Sequence, residues 1–187
     1  SLGSSMKALT LERVRNKLYY FNQEILYRQF SEMNIDSLTI HDACMPHMLC
    51  PKKRSSFQYI NFSRNALTDE LFQNCDTLAN LKILILHRNK FESLSKVSFM
   101  TSRMKSLRYL DMSSNLLRNS RAEGRCQWAD SLAELDLSSN QLQEITNETF
   151  HGLRLLERLY LQKNRIQHIH ATAFDTLENL LELKLQN

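Results

Sequence analysis

The chain has 187 residues, 42% of them hydrophobic, enough for one folded unit with a sizeable core. With three glycines and two prolines it lacks both the glycine-rich loops that cradle phosphates and a flexible linker. A net charge of +4 without basic blocks argues against a nucleic-acid groove, and no apolar run approaches the roughly 20 residues of a membrane span.

The first predicted elements are two irregular coils. Met6, Leu9 and Leu11 mark one short strand and Ile35, Leu38 and Ile40 the next, in the spacing L-x-x-L-x-L that later coils extend with x-x-N-x-L. The Asn position is held by Val14 in the first coil and Ala43 in the second, so the side-chain ladder is predicted to be missing over residues 6–56. Coils without it are less uniformly stacked and more able to part around an apolar guest.

Next comes the run from His41 to Cys50, with His41, Cys44, His47 and Cys50 at every third position. Metal sites draw on two close pairs with a spacer, and Pro46 stiffens the middle of this run, so no metal is expected. Cys75, 25 residues after Cys50 and one coil further on, is the better partner. Neighbouring coils lie about 5 Å apart, which suits the Cα separation of a disulfide. Closing such a loop contributes on the order of 3–4 kcal/mol in the chain-entropy model. Cys44 is expected to be a small, semi-buried thiol.

From Phe57 the repeat is regular. Its copies are Phe57-Ile60-Phe62-Asn65-Leu67, Leu81-Leu84-Leu86-Asn89-Phe91, Leu107-Leu110-Met112-Asn115-Leu117, Leu132-Leu135-Leu137-Asn140-Leu142 and Leu156-Leu159-Leu161-Asn164-Ile166, with starts spaced 24 to 26 residues apart. Each L-x-L is predicted to point inward from a short parallel strand, and each Asn to bond the backbone of a neighbouring coil. The expected fold is an α/β leucine-rich-repeat solenoid. It is a horseshoe with a parallel sheet on the concave face and loops and short helical turns on the convex face, one array over 1–187 with irregular repeats in 1–56 and regular ones in 57–187. Leu180-Leu183-Leu185 reaches Asn187 before its ladder position, so the chain reads as an uncapped piece of a longer array.

The insert Arg118 to Trp128 carries Cys126, whose pairing is left open. The triplets Asn61-Phe-Ser63 and Asn147-Glu-Thr149 are N-glycosylation sequons that suit a secretory route. The histidines and carboxylates show no nucleophile–base spacing, so neither an enzyme nor a cofactor is expected. Arg64, His87, Arg88, Ser113, Ser138 and Lys163 fall at outward strand positions, which leaves a protein-binding concave face as the alternative function.

From about residue 6 to Leu142 the chain resembles the central ectodomain of the Toll-like receptor 1, 6 and 10 group. The resemblance is carried by Met6-Lys-Ala-Leu-Thr-Leu11, Phe30-Ser-Glu-Met-Asn-Ile35, His47-Met-Leu-Cys-Pro51, Asn61-Phe-Ser-Arg-Asn65 and Cys126-x-Trp128. It implies an innate immune receptor that takes the acyl chain of a bacterial lipopeptide between coils and heterodimerises with a Toll-like receptor 2-type partner. Such a receptor acts on the extracellular side of the plasma membrane or in the phagosome, with its membrane anchor outside these residues. The resemblance makes Tyr19 and Phe21 walls of the entrance, gives the backbone of Tyr20 and the side chain of Gln23 to the lipopeptide head, and turns Tyr27 toward the partner. Met45 and Leu67 match the channel positions, and the family's disulfide matches Cys50 and Cys75. After Leu142 the coils resemble generic extracellular repeats instead, which implies a divergent member or a chimera.

Overall fold

The computed structural model describes residues 5–13, 23–119 and 124–187, with the side chains of Gln23, Glu24 and Leu26 outside that description. Each coil contributes one short strand to an eight-stranded parallel sheet: β1 (Ala8–Glu12), β2 (Ser37–His41), β3 (Tyr59–Asn61), β4 (Ile83–Ile85), β5 (Tyr109–Asp111), β6 (Glu134–Asp136), β8 (Arg158–Tyr160) and β10 (Glu182–Lys184). The repeat sets the register: Leu38, Ile60, Leu84, Leu110, Leu135 and Leu159 stand opposite one another from strand to strand. Strand side chains alternate, so these leucines and isoleucines are buried while the residues on either side lie half-buried on the outer face. Two further strands, β7 (Glu144–Ile145) and β9 (His168–Ile169), pair in parallel on the descending side of the late coils. The leucine-rich-repeat solenoid expected from the spacing is the fold observed.

Two helices interrupt this regularity. Helix α1 (Gln23–Ser31) precedes β2, and α2 (Leu94–Thr101) lies between β4 and β5. Ser93 caps α2, its hydroxyl oxygen accepting from the Lys96 N–H at 3.2 Å. The hydroxyls of Ser98 and Thr101 are fully buried and accept the backbone N–H groups of Gln127 and Ala129. Part of the long insert is therefore tied to α2, and Trp128 ties it to the following coil by donating from its indole N–H to the Thr149 carbonyl at 2.8 Å.

The asparagine ladder is present and has a direction. The side chain of Asn115 accepts from the Asn89 and Phe91 N–H groups and donates to the Leu86 carbonyl, all on the preceding coil, and also to the Met112 carbonyl of its own coil. Asn89, Asn140 and Asn164 do likewise. Asn65 ties β3's coil back to β2's: its Oδ1 accepts from the Ala43 and Met45 N–H groups, and its Nδ2 donates to the Ile40 carbonyl. This corrects the expectation that residues 6–56 lie outside the ladder, since an Asn reaches one coil backward and Asn65 serves residues 40–45. Among the described residues the β1–β2 joint, where Ala43 holds the ladder position, has no such side-chain amide, and there five residues pair along the backbone, against three in β2–β3 and β3–β4.

One conformational feature recurs in the seven coils of β1 to β6 and β8. Arg13, Asp42, Arg64, Arg88, Ser114, Ser139 and Lys163 all have φ between 53° and 58°, and each immediately precedes a ladder position. A left-handed non-glycine residue costs roughly 1–2 kcal/mol, so the tight turn out of the strand is imposed by the stacking of its neighbours.

Candidate functional site

The interior between the coils of β2 and β3 is where the resemblance expects a lipid channel. Met45, Met48, Phe57, Phe62 and Leu67 are all 2% exposed or less and form one continuous apolar seam. Beside Met48, Phe57 and Phe62 lies a cavity of about 10 Å³, lined also by Ser31 of α1, Leu38, Ile60 and Phe72; Met45 and Leu67 are not part of its lining. A void that small holds at most about one water-sized probe. Among the described residues the seam is filled by its own methionine and phenylalanine side chains.

The seam is closed on its descending side by covalent chemistry. Cys50 and Cys75 are joined by a disulfide, with Cα atoms 5.8 Å apart. Thr77 reinforces the joint, its hydroxyl donating to the Pro51 carbonyl at 2.8 Å. The other ligand-type residues of the His41–Cys50 run diverge. The His41 ring pairs with the Asp42 carboxylate at 2.8 Å, His47 meets the Tyr27 ring edge-on, and Cys44 is exposed rather than semi-buried, because its left-handed backbone (φ 54°) turns it outward. Asp42 is held below the usual carboxylate range, first by its hydrogen bond to His41.

Tyr27, expected to face a partner, is buried to 7% exposure. On α1 it lies one turn before buried Ser31, so both occupy the inward face, while Ile25 is exposed on another. Its hydroxyl has no hydrogen-bond partner among the described residues, and burial pushes its pKa up. Tyr19, Tyr20 and Phe21 lie outside the described residues, as does the side chain of Gln23, whose backbone opens α1. Of the sequons, Asn147 is exposed, whereas Asn61 is half-buried on β3 with its Oδ1 accepting from the Ser63 N–H and its Nδ2 donating to the Tyr59 hydroxyl.

The concave face differs from its expected composition. Ser113 and Ser138 are buried, because the carboxylates two residues earlier, Asp111 and Asp136, accept from their backbone N–H groups. The residues that do cover this face are Tyr59, Ile83, Ile85, Tyr109, Asp111 and Asp136, with Glu134, Arg158, Tyr160 and Glu182 beyond them. Burial raises the pKa of Asp136, and burial with the nearby glutamates pushes Tyr160 up to about 12. The period-two alternation of each strand was the signal for these residues. A larger groove, about 370 Å³, opens beside β7 and is lined among others by Leu94, Asn119, Arg125, Cys126 and Glu148; nothing in the repeat spacing pointed to it.

Comparison with known proteins bears on both faces. Residues 130–187 match the leucine rich repeat family model. The chain is 46% identical over 180 residues to Toll-like receptor 6 of Bos taurus, covering 95% of this chain and 22% of that protein. It is 41% identical over 184 residues to Toll-like receptor 1 of Homo sapiens, covering 98% of this chain and 23% of the other. The similarity therefore continues past Leu142 into the regular coils, and the chain spans about a fifth of the length of these curated relatives. An internalin C2 structure from Listeria monocytogenes aligns with a TM-score of 0.53 at 19% identity, over 81% of this chain and 71% of that one, a likeness of fold alone. No helix among the described residues is long and apolar enough to cross a membrane.

Proposed function

The chain belongs to the Toll-like receptor family, a homologue of receptors 6 and 1 over nearly its whole length, and from that premise we propose that it binds a bacterial lipopeptide through the seam between the coils of β2 and β3. As part of an innate immune receptor ectodomain it is a binding scaffold, not an enzyme. The observation that carries the proposal is the seam itself: flexible Met45 and Met48 beside Leu67 and Phe62, with a small apolar void between coils. Methionine adapts to irregular apolar shapes, and each methylene transferred from water is worth about 0.8 kcal/mol. An acyl chain supplies that burial without any charged contact. Because the seam is filled by its own side chains, binding requires α1 to move aside while the Cys50–Cys75 disulfide holds the descending side. Tyr19, Phe21, Tyr20 and Gln23 then form the entrance, and Tyr27 reaches a Toll-like receptor 2-type partner only if α1 turns outward with the opening. The receptor acts at the extracellular face of the plasma membrane or in the phagosome, anchored by another part of the protein.

The test is saturable binding of a fluorescent triacylated lipopeptide, beside its diacylated analogue, to the chain alone and with the partner ectodomain present. Met45→Phe/Leu67→Phe should abolish uptake while leaving circular dichroism and melting near those of the parent. A folded chain that takes up neither lipid under either condition overturns the reading.

A further inference from the structure

The concave sheet carries a surface that the lipid seam does not use. Strand register places Tyr59 beside Ile83 and Ile83 beside Tyr109, and in the next outward row Ile85 beside Asp111 and Asp111 beside Asp136. All six are half-buried and stand on the outer face of their strands. With strands about 4.8 Å apart, they form one block, apolar and aromatic on one side and doubly anionic on the other.

The two carboxylates differ from their neighbours along the sheet. Glu134 and Glu182 flank Arg158, and Glu182 also meets Lys184. Asp111 and Asp136 make no ion pair among the described residues. Both are oriented from behind: Asp111 Oδ1 accepts from the Ser113 N–H and hydroxyl at 2.8 and 2.6 Å, and Asp136 Oδ1 from the Ser138 N–H at 2.9 Å. His87 bears on the same pair, its Nδ1 2.7 Å from the Ser113 hydroxyl. The Tyr109 hydroxyl is pushed above its ordinary pKa, first by burial and then by Asp111, Asp136 and Glu134. A chain of net charge +4 thus holds a local patch of the opposite sign.

We propose that this block is a docking surface for a protein segment carrying an apolar side chain next to an arginine or lysine. The apolar residue seats on Ile83 and Ile85, and the cation lies between Asp111 and Asp136 with the Tyr109 ring beside it. Charge-assisted bonds to two carboxylates and a cation over an aromatic face are the strong contacts available here. Tyrosine and arginine are also among the residue types enriched in protein interfaces. Phosphate-bearing ligands are repelled by the same carboxylates.

The test is selection of a random peptide display library on the folded chain, followed by binding measurements on Asp111→Asn/Asp136→Asn. The amide side chains keep the oxygens that accept from Ser113 and Ser138, so the fold is kept and the variant should melt at or above the parent. The expected result is enrichment of peptides with a basic residue beside a large apolar one. They should bind the double variant roughly tenfold more weakly, and should lose binding when their own basic residue is changed to Glu. Peptides without a basic preference, equal binding to both proteins, or no block-dependent binder overturns the proposal. Lipid uptake by the seam should be the same in parent and variant, so this outcome is independent of the lipopeptide reading.

Discussion

Asn65 holds Met45 in place from the next coil: its Oδ1 accepts from the Met45 N–H at 3.1 Å, while the Met45 side chain fills the seam. The residue best placed to yield to a guest is thus anchored through its backbone and adaptable only in its side chain. Asn65→Ala removes the acceptor for both Ala43 and Met45 N–H groups. It should lower unfolding free energy by about 2–4 kcal/mol, the cost of orphaned buried donors, measured by denaturant titration. A loss below roughly 1 kcal/mol would mean that water or backbone relaxation replaces the amide.

Reduction should weaken the same region. Cys50→Ser/Cys75→Ser is expected to cost about 3 kcal/mol through the released 25-residue loop. The loss should be matched by adding reductant to the parent protein and should be absent when reductant is added to the variant.

The pH dependence of Asp136 follows from its raised pKa, caused first by burial. A carboxyl whose folded pKa lies above its unfolded value is destabilising once ionised, and that penalty disappears as pH falls through the folded pKa. Asp136→Asn should therefore melt higher than the parent at pH 7, and the gap should close as the solution is acidified through the carboxylate range. Thermal melts at a series of pH values decide it; a gap that widens on acidification contradicts the assignment.

Ser139 tests the left-handed turn at φ 56°. Ser139→Gly should leave stability unchanged or raise it by a few tenths of a kcal/mol, while Ser139→Val should cost about 1–2 kcal/mol because a β-branched side chain clashes in that conformation. Equal melting of the two variants would show that the turn relaxes freely.

The sequons should separate in a eukaryotic secretory host. Asn147 is exposed and should carry a glycan, removed by Asn147→Gln as a single mass step. Asn61, engaged with Ser63 and Tyr59 on the sheet, should leave the mass unchanged in Asn61→Gln. A mass step at Asn61 would place a glycan against the concave block and would be expected to suppress peptide binding there.

Much of this architecture was legible from leucine spacing alone. Leu84, Leu110 and Leu135 fall in register because a parallel solenoid copies one coil onto the next, and Cys50 meets Cys75 for the same reason. What the spacing did not reveal is decided by neighbours. Tyr27 turns inward because α1 has its own 3.6-residue period, invisible in a repeat counted by twos and threes. Ser113 and Ser138 are buried beside carboxylates two residues upstream, and on α2 the hydroxyls of Ser98 and Thr101 accept from the distant insert. The ladder extends one coil further forward than its asparagines because each side chain reaches backward.

The left-handed residue before every ladder position separates two properties of the array. The path of the chain from coil to coil is a matter of backbone shape, retained at Asp42 although Ala43 has no amide to offer; cohesion between coils is a matter of side chains. A repeat can therefore decay in composition without altering the pitch of its neighbours. Such a solenoid is free to evolve a new occupant in one joint while the rest of the molecule keeps its form.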